Sequence, residues 1–169
     1  MVTSRILGID PGSRITGYGI VDYAGDKPSL IEAGVIRAAE GDFNDRLALI
    51  YRSVKALIER LQPDQLSVEQ VFVSRNAGTA LKLGAARSAA ICASFSHNIA
   101  IAEYTPREIK LAVTGSGSAS KEQVQHMMRL LLSVTDKLQA DAADALAVAV
   151  CHANSSRLQR RLAAAGRSA

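Results

Sequence analysis

The stretch RILGIDPGSRITGYGIV, residues 5–21, decides how the rest of the chain is read. ILGI is an apolar run of strand length, and it leads straight into an acid, Asp10. Pro11 and Gly12 then signal a turn, and a second strand pattern follows in ITGYGIVD. A third run, SLIEAGVIRA, comes after the turn residues AGDKP, so the first 40 residues read as a three-stranded meander. The pattern changes at Asn44. Leu47, Ile50, Tyr51, Val54, Leu57, Ile58 and Leu61 recur at helical spacing, and Pro63 stops the helix.

LSVEQVFV, residues 66–73, is the next strand, rich in β-branched and aromatic side chains. A second helix is expected within 76–97 and a fifth strand in NIAIAEYT. TPREIKLAV opens a helix with Thr105 as N-cap, Pro106 at the first helical position and Glu108 closing a capping box. TGSGSAS, residues 114–120, is a loop, behind which Ser120 and Gln123 cap a helix with Val124, Met127, Met128 and Leu131 on one face. QADAADALAVAV, residues 139–150, heads the last helix. This order predicts an α/β domain with a five-stranded mixed sheet flanked by helices.

At 169 residues the chain suits one domain, and 48% hydrophobic residues exclude a disordered one. No apolar run reaches the roughly 18 residues of a membrane span, and the N-terminus is too short in apolar residues for a secretory signal. Cys92 and Cys151 lack zinc-type spacing and sit in apolar helical contexts, so buried free thiols of a cytoplasmic protein are expected. The domain is expected over 1–154, with 155–169 as a basic, flexible or frayed tail.

Net charge is only +4, but its distribution is uneven. Residues 1–69 carry eight basic and ten acidic side chains, residues 70–140 eight against four, and four arginines with no acid follow Asp144. That division suits either a polyanion held over a cation-loaded acidic pocket or ordinary solvated surface charge. ALKLGAARSAAICASFS is unusually rich in small residues, which permits close packing either on the chain's own sheet or on a second copy.

Four acids stand where acids are unwelcome. Asp10 ends an apolar strand, Glu69 lies in the middle of LSVEQVFV, and Asp141 and Asp144 share one face of an apolar helix. Each has a local alternative: a turn for Asp10, a solvent-facing edge position for Glu69, an N-cap for Asp141. Asp144 is too deep in the helix to cap it. No histidine or cysteine cluster accompanies them, and an all-oxygen set favours a hard ion such as Mg²⁺, which assists phosphodiester hydrolysis. His126, on an amphipathic helix, reads as a surface or half-buried residue.

GIDPGSRITGYGIV, VEQVF and DAADALAVA, in this order and spacing, resemble the RuvC-type Holliday junction resolvases of the ribonuclease H-like superfamily. The resemblance spans roughly residues 5–152 and includes RNAGTALKLGAARSAA, similar to the family's dimer-helix region, and the GSGSASKEQVQHM loop and helix. It implies a ribonuclease H-like fold and a homodimer that binds four-way junction DNA. Paired symmetric nicks would be made with Mg²⁺, Mn²⁺ being able to substitute, in association with the RuvA–RuvB branch-migration complex. Asp10, Glu69, Asp141 and Asp144 match the family's catalytic, metal-holding acids. Phe72 matches an aromatic set against junction bases, with a core residue as the alternative; Arg75, Lys110 and Lys121 match basic residues that face DNA. Lys121 follows a glycine-bearing loop from which its ammonium can reach a scissile phosphate, the alternative being a lysine in water. SVTDKLQADAADA lacks the proline expected before the final helix. Two other readings remain: a ribonuclease H-like nuclease acting on RNA, and a catalytically silent junction-binding protein.

Overall fold

Strand β1 (Ser4–Asp10) organises the computed structural model, which describes residues 4–25, 27–71, 76–136 and 138–165. It pairs antiparallel with β2 (Ile15–Ala24), from Ser4 opposite Tyr23 to Asp10 opposite Gly17, and β2 pairs antiparallel with β3 (Lys27–Arg37). On its other side β1 pairs parallel with β4 (Gln65–Glu69), and β4 parallel with β5 (Ala100–Tyr104). The five-stranded mixed sheet runs β3-β2-β1-β4-β5, as the order of patterns predicts. Parallel neighbours need crossovers: α1 (Phe43–Leu61) leads into β4, and α2 (Ala77–Cys92) joins β4 to β5.

Alternation along the strands divides the interior in two. Leu7, Ile9, Ile20, Leu66 and Val68 face a core completed by Ile50, Val54, Leu57 and Ile58 of α1 and by Ala86 and Ala90 of α2. Ile6 and Val21 face the opposite core, shared with α3 (Pro106–Thr114), α4 (Lys121–Leu131) and α5 (Ala140–Ala165). Capping boxes at Thr105–Glu108 and Ser120–Gln123 start α3 and α4 where the sequence places them, and Asp42–Asp45 starts α1.

Helix α5 lies unusually close to the sheet. A Cβ on Gly8 would sit 2.1 Å from the Ala145 carbonyl oxygen, and one on Gly17 would sit 1.9 Å from that of Asp141. Only glycine at these two strand positions admits the helix at this depth. Farther along α5, His152 Nδ1 lies 2.7 Å from Tyr104 Oη and its Nε2 3.0 Å from Gln65 Oε1, which ties the helix to β4 and β5.

Some expectations need correction. β4 ends at Glu69, so this acid closes the strand instead of occupying its middle. Its partner β5 ends at Tyr104, opposite Glu69, because Thr105 and Pro106 begin a helix there and leave nothing to pair with. Cys92 is exposed, since α2 turns Ala86 and Ala90 to the core and Cys92 outward; Cys151 is buried as expected. Tyr51 and Leu131, at the margins of their helical faces, are 37% and 41% exposed. Helix α5 runs on past position 154 to Ala165. Among the described residues, no helix is long and apolar enough to cross a membrane.

Candidate active site

The site begins with the sheet. β1 and β4 are parallel neighbours whose C-terminal ends each carry an acid, and continuing the Ile9–Val68 register by one step sets Asp10 beside Glu69. The C-terminal ends of parallel strands are where open α/β sheets gather their ligands. Alternation turns both acids toward α5, away from the α1–α2 core that takes Ile9 and Val68. The first turns of α5 cross this end of the sheet, with the Asp141 backbone over Gly17, the partner of Asp10 in the β1–β2 ladder. Close packing at Gly8 and Gly17 thus delivers the aspartates of α5 to the strand ends. Asp144 is held with its side chain only 15% exposed.

Two lysines complete the site. Lys121, the first residue of α4, places Nζ 3.2 Å from Asp144 Oδ2 while its side chain stays 74% exposed. Lys110 comes from α3. Asp10, Glu69, Lys110, Lys121 and Asp144 line one cleft of about 200 Å³, whose apolar wall is Pro106, Ile109, Val124 and Ala147. Asp141 does not line it, but its charge acts on Asp10. His126 is exposed and borders a separate hollow. Phe72 and Arg75 lie outside the described residues.

Crowded negative charge dominates the electrostatics. Burial, then Glu69, Asp144 and Asp141, pushes the Asp10 carboxyl up to about 8, and Lys121 opposes the rise. Glu69 is raised by burial and by Asp144, against Lys121 and Lys110. The Lys121 ammonium is raised chiefly by Asp144. Among the described residues, no three His, Cys, Asp or Glu side chains are drawn together tightly enough to form a metal-ligand cluster. Asp10 thus feels the charge of the other three acids without a closed cage forming, and Lys121 is set against Asp144.

The profile of the family "Crossover junction endodeoxyribonuclease RuvC" matches residues 6–152. The chain belongs to that family. A RuvC of Methylococcus capsulatus is 52% identical over 149 residues, covering 88% of this chain and 90% of that one. A RuvC of Alkalilimnicola ehrlichii is 51% identical over 162 residues, covering 96% and 98%. Among solved structures, T. thermophilus RuvC in complex with Holliday junction substrate superposes with a TM-score of 0.87 at 31% identity, covering 92% of this chain and 96% of that one. The yeast mitochondrial resolvase Ydc2, at 16% identity and a TM-score of 0.69, shares the fold. As a RuvC family member the chain is an endodeoxyribonuclease, a hydrolase with a ribonuclease H-like α/β fold, and nucleases of this family depend on a divalent metal.

Sequence reasoning missed the apolar wall of the cleft and the glycine trench beneath α5. The wall had a partial signal in Pro106 and Ile109, three apart at the start of α3, but which cleft they face depends on how α3 and α4 dock. Gly8 and Gly17 carried the other signal, as glycines inside strands that are otherwise apolar.

Proposed function

We propose that this chain resolves four-way DNA junctions by hydrolysing one phosphodiester in each of two opposed strands, with Asp10, Glu69, Asp141 and Asp144 as the catalytic acids. What carries the reading is a cleft holding Asp10, Glu69 and Asp144 against Lys110 and Lys121, in a member of the RuvC family. The strong structural likeness to a RuvC bound to a Holliday junction supports the choice of substrate.

The donor set suits a divalent ion. All four groups are carboxylates, and the Asp10 charge is disfavoured by burial and by its acidic neighbours, a cost that a hard cation would offset. Asp10, Glu69, Asp141 and Asp144 would hold Mg²⁺, or Mn²⁺ in its place. Bound there, the ion would activate water and offset charge on the phosphate. The chain's own side chains supply the rest. Lys121, mostly exposed at the cleft mouth, meets the scissile phosphate and balances charge as it develops. Lys110 contacts the same strand from α3. Pro106, Ile109, Val124 and Ala147 exclude bulk water, which strengthens each of these interactions. Water adds to phosphorus, the bond to the 3′ oxygen breaks, and the ends are a 5′-phosphate and a 3′-hydroxyl.

Paired cuts need two active sites, which a homodimer supplies. Leu81, Ser88 and Cys92 are exposed along one face of α2, with Phe95 after its end; Leu81 is 75% and Phe95 66% exposed. We assign this stripe to a second copy of the chain, Phe72 and Arg75 to junction contacts, residues 1–154 to the nuclease domain and 155–169 to a basic extension. Action in the cytoplasm beside the RuvA–RuvB complex belongs to the same reading.

The test offers purified protein and Mg²⁺ a mobile junction, a linear duplex and an RNA–DNA hybrid. Symmetric nicks confined to the junction are expected; cutting of the hybrid alone would overturn the proposal. Asp144→Asn is expected to lower nicking by at least about a hundredfold, the scale of losing a charge-stabilising group, with junction retardation on gels unchanged. A variant that nicks at the normal rate would remove Asp144 from the mechanism.

A further inference from the structure

Thr16 is fully buried yet takes no part in the cleft. Its hydroxyl donates to the Gly12 carbonyl oxygen at 2.8 Å and accepts from the Gly12 N–H at 3.3 Å, so one side chain holds both backbone groups of one residue. Gly12 ends the Asp10-Pro11-Gly12 corner that leads out of β1. The corner is tight: a Cβ on Gly12 would lie 1.9 Å from the Ile15 carbonyl oxygen. On its outer side the Ala38 N–H donates to the Arg14 oxygen at 2.8 Å, which fixes the turn to the chain leaving β3.

This brace matters because of what Asp10 faces. Glu69 and Asp144 line the same cleft, so the acids converge there only while Asp10 keeps its place at the end of β1. Asp10 is the last residue of that strand, so its placement depends on the corner that follows it. Thr16 fixes that corner through Gly12, two residues beyond the acid, from β2, which is itself paired to β1 through Gly17. Neighbouring Gly17 receives α5, so one short segment of β2 fixes both the Asp10 corner and the helix carrying Asp141 and Asp144.

We propose that Thr16 is a positioning residue: its hydroxyl holds the Asp10 corner in place and so sets the affinity of the acid cluster for a divalent ion. The inference rests on the acids being the ion-binding set, and its test reads ion binding apart from cutting. The full chain is titrated with Mn²⁺ by calorimetry without DNA, as wild type, Thr16→Val and Thr16→Ser. Thr16→Val keeps the shape and removes the hydroxyl, and is expected to need about tenfold more Mn²⁺ for half-saturation, the usual scale for losing a group that orients metal ligands. At saturating junction it should cut about tenfold more slowly in limiting Mn²⁺ and recover as Mn²⁺ is raised, with junction affinity unchanged. Thr16→Ser restores the hydroxyl and should behave as wild type. Three results would overturn the proposal: a wild-type Mn²⁺ midpoint in Thr16→Val, a Thr16→Ser defect equal to that of Thr16→Val, or loss of cooperative melting in Thr16→Val, which would assign Thr16 to global stability. Wild-type protein that binds Mn²⁺ but leaves junctions intact would sink the proposed function, while the Thr16→Val and Thr16→Ser midpoints still decide the role of Thr16.

Discussion

Asp10 is held where burial and three other carboxylates disfavour its charge, and this has a consequence for stability. The unfolded chain releases the Asp10 proton near the ordinary value of 3.8, whereas the folded protein keeps it up to about pH 8. Between those limits the folded state binds more protons, so this group makes stability fall as pH rises and level off above about 8. Asp10→Asn removes the dependence. The variant and wild type should melt together near pH 4 in chelator and diverge toward pH 8, with the variant higher by roughly 5 °C or more. Parallel melting curves across that range would contradict the electrostatic account of the site. The four acids could be picked out as candidates because they stand among apolar neighbours and because the turn, edge and cap that excuse Asp10, Glu69 and Asp141 singly leave Asp144 unexplained. Thr16 was not. Its role depends on a corner that brings it back onto Gly12, and nothing about a threonine in an apolar strand announces that.

At the scale of elements, the site depends on how deeply α5 sits. Gly8→Ala would drive a methyl group into the backbone of α5 at Ala145, a conflict that no rotamer can relieve. The expected loss is about 1–3 kcal/mol, read as a lower denaturation midpoint at unchanged slope. Nicking should fall further than stability does, because the displaced helix carries Asp144 away from Asp10. Full activity in a destabilised Gly8→Ala protein would separate helix depth from catalysis. Helix starts were readable from sequence because capping is local: Thr105, Pro106 and Glu108 suffice for α3, and Ser120 with Gln123 for α4. The end of β4 was not readable. Its own residues favour a strand through position 73, but β5 gives out at Tyr104, and that limit is set 35 residues away in sequence. Helical periodicity likewise identified the buried face of α1 while leaving Tyr51 at its margin exposed.

Across the whole molecule, each core takes its own layer of helices, and the sheet between them brings the acids to one end. The exposed stripe of α2 lies on the layer away from α5, so a partner seated there leaves both clefts open. Replacing Leu81 and Phe95 together by Glu should convert the proposed dimer to a monomer by light scattering, with the melt still cooperative and paired nicks reduced to single ones. A double variant that stays dimeric would move the interface elsewhere. The small residues of this helix had two readings in sequence: Ala86 and Ala90 meet the chain's own core, while Leu81 and Cys92 are left exposed. Sequence alone could not divide them, because both faces use small or apolar side chains. The Lys121–Asp144 pair, finally, gives the acidic end of the sheet a resident counter-charge supplied by the chain itself. Folding then need not wait for an ion, unlike small domains whose metal is their core. Adding EDTA should act as a reversible off-switch: cutting stops, the melt remains cooperative, and Mg²⁺ restores cutting without a refolding lag. A chain that unfolds in EDTA would show that lysine is no substitute, and that the ion is part of the architecture.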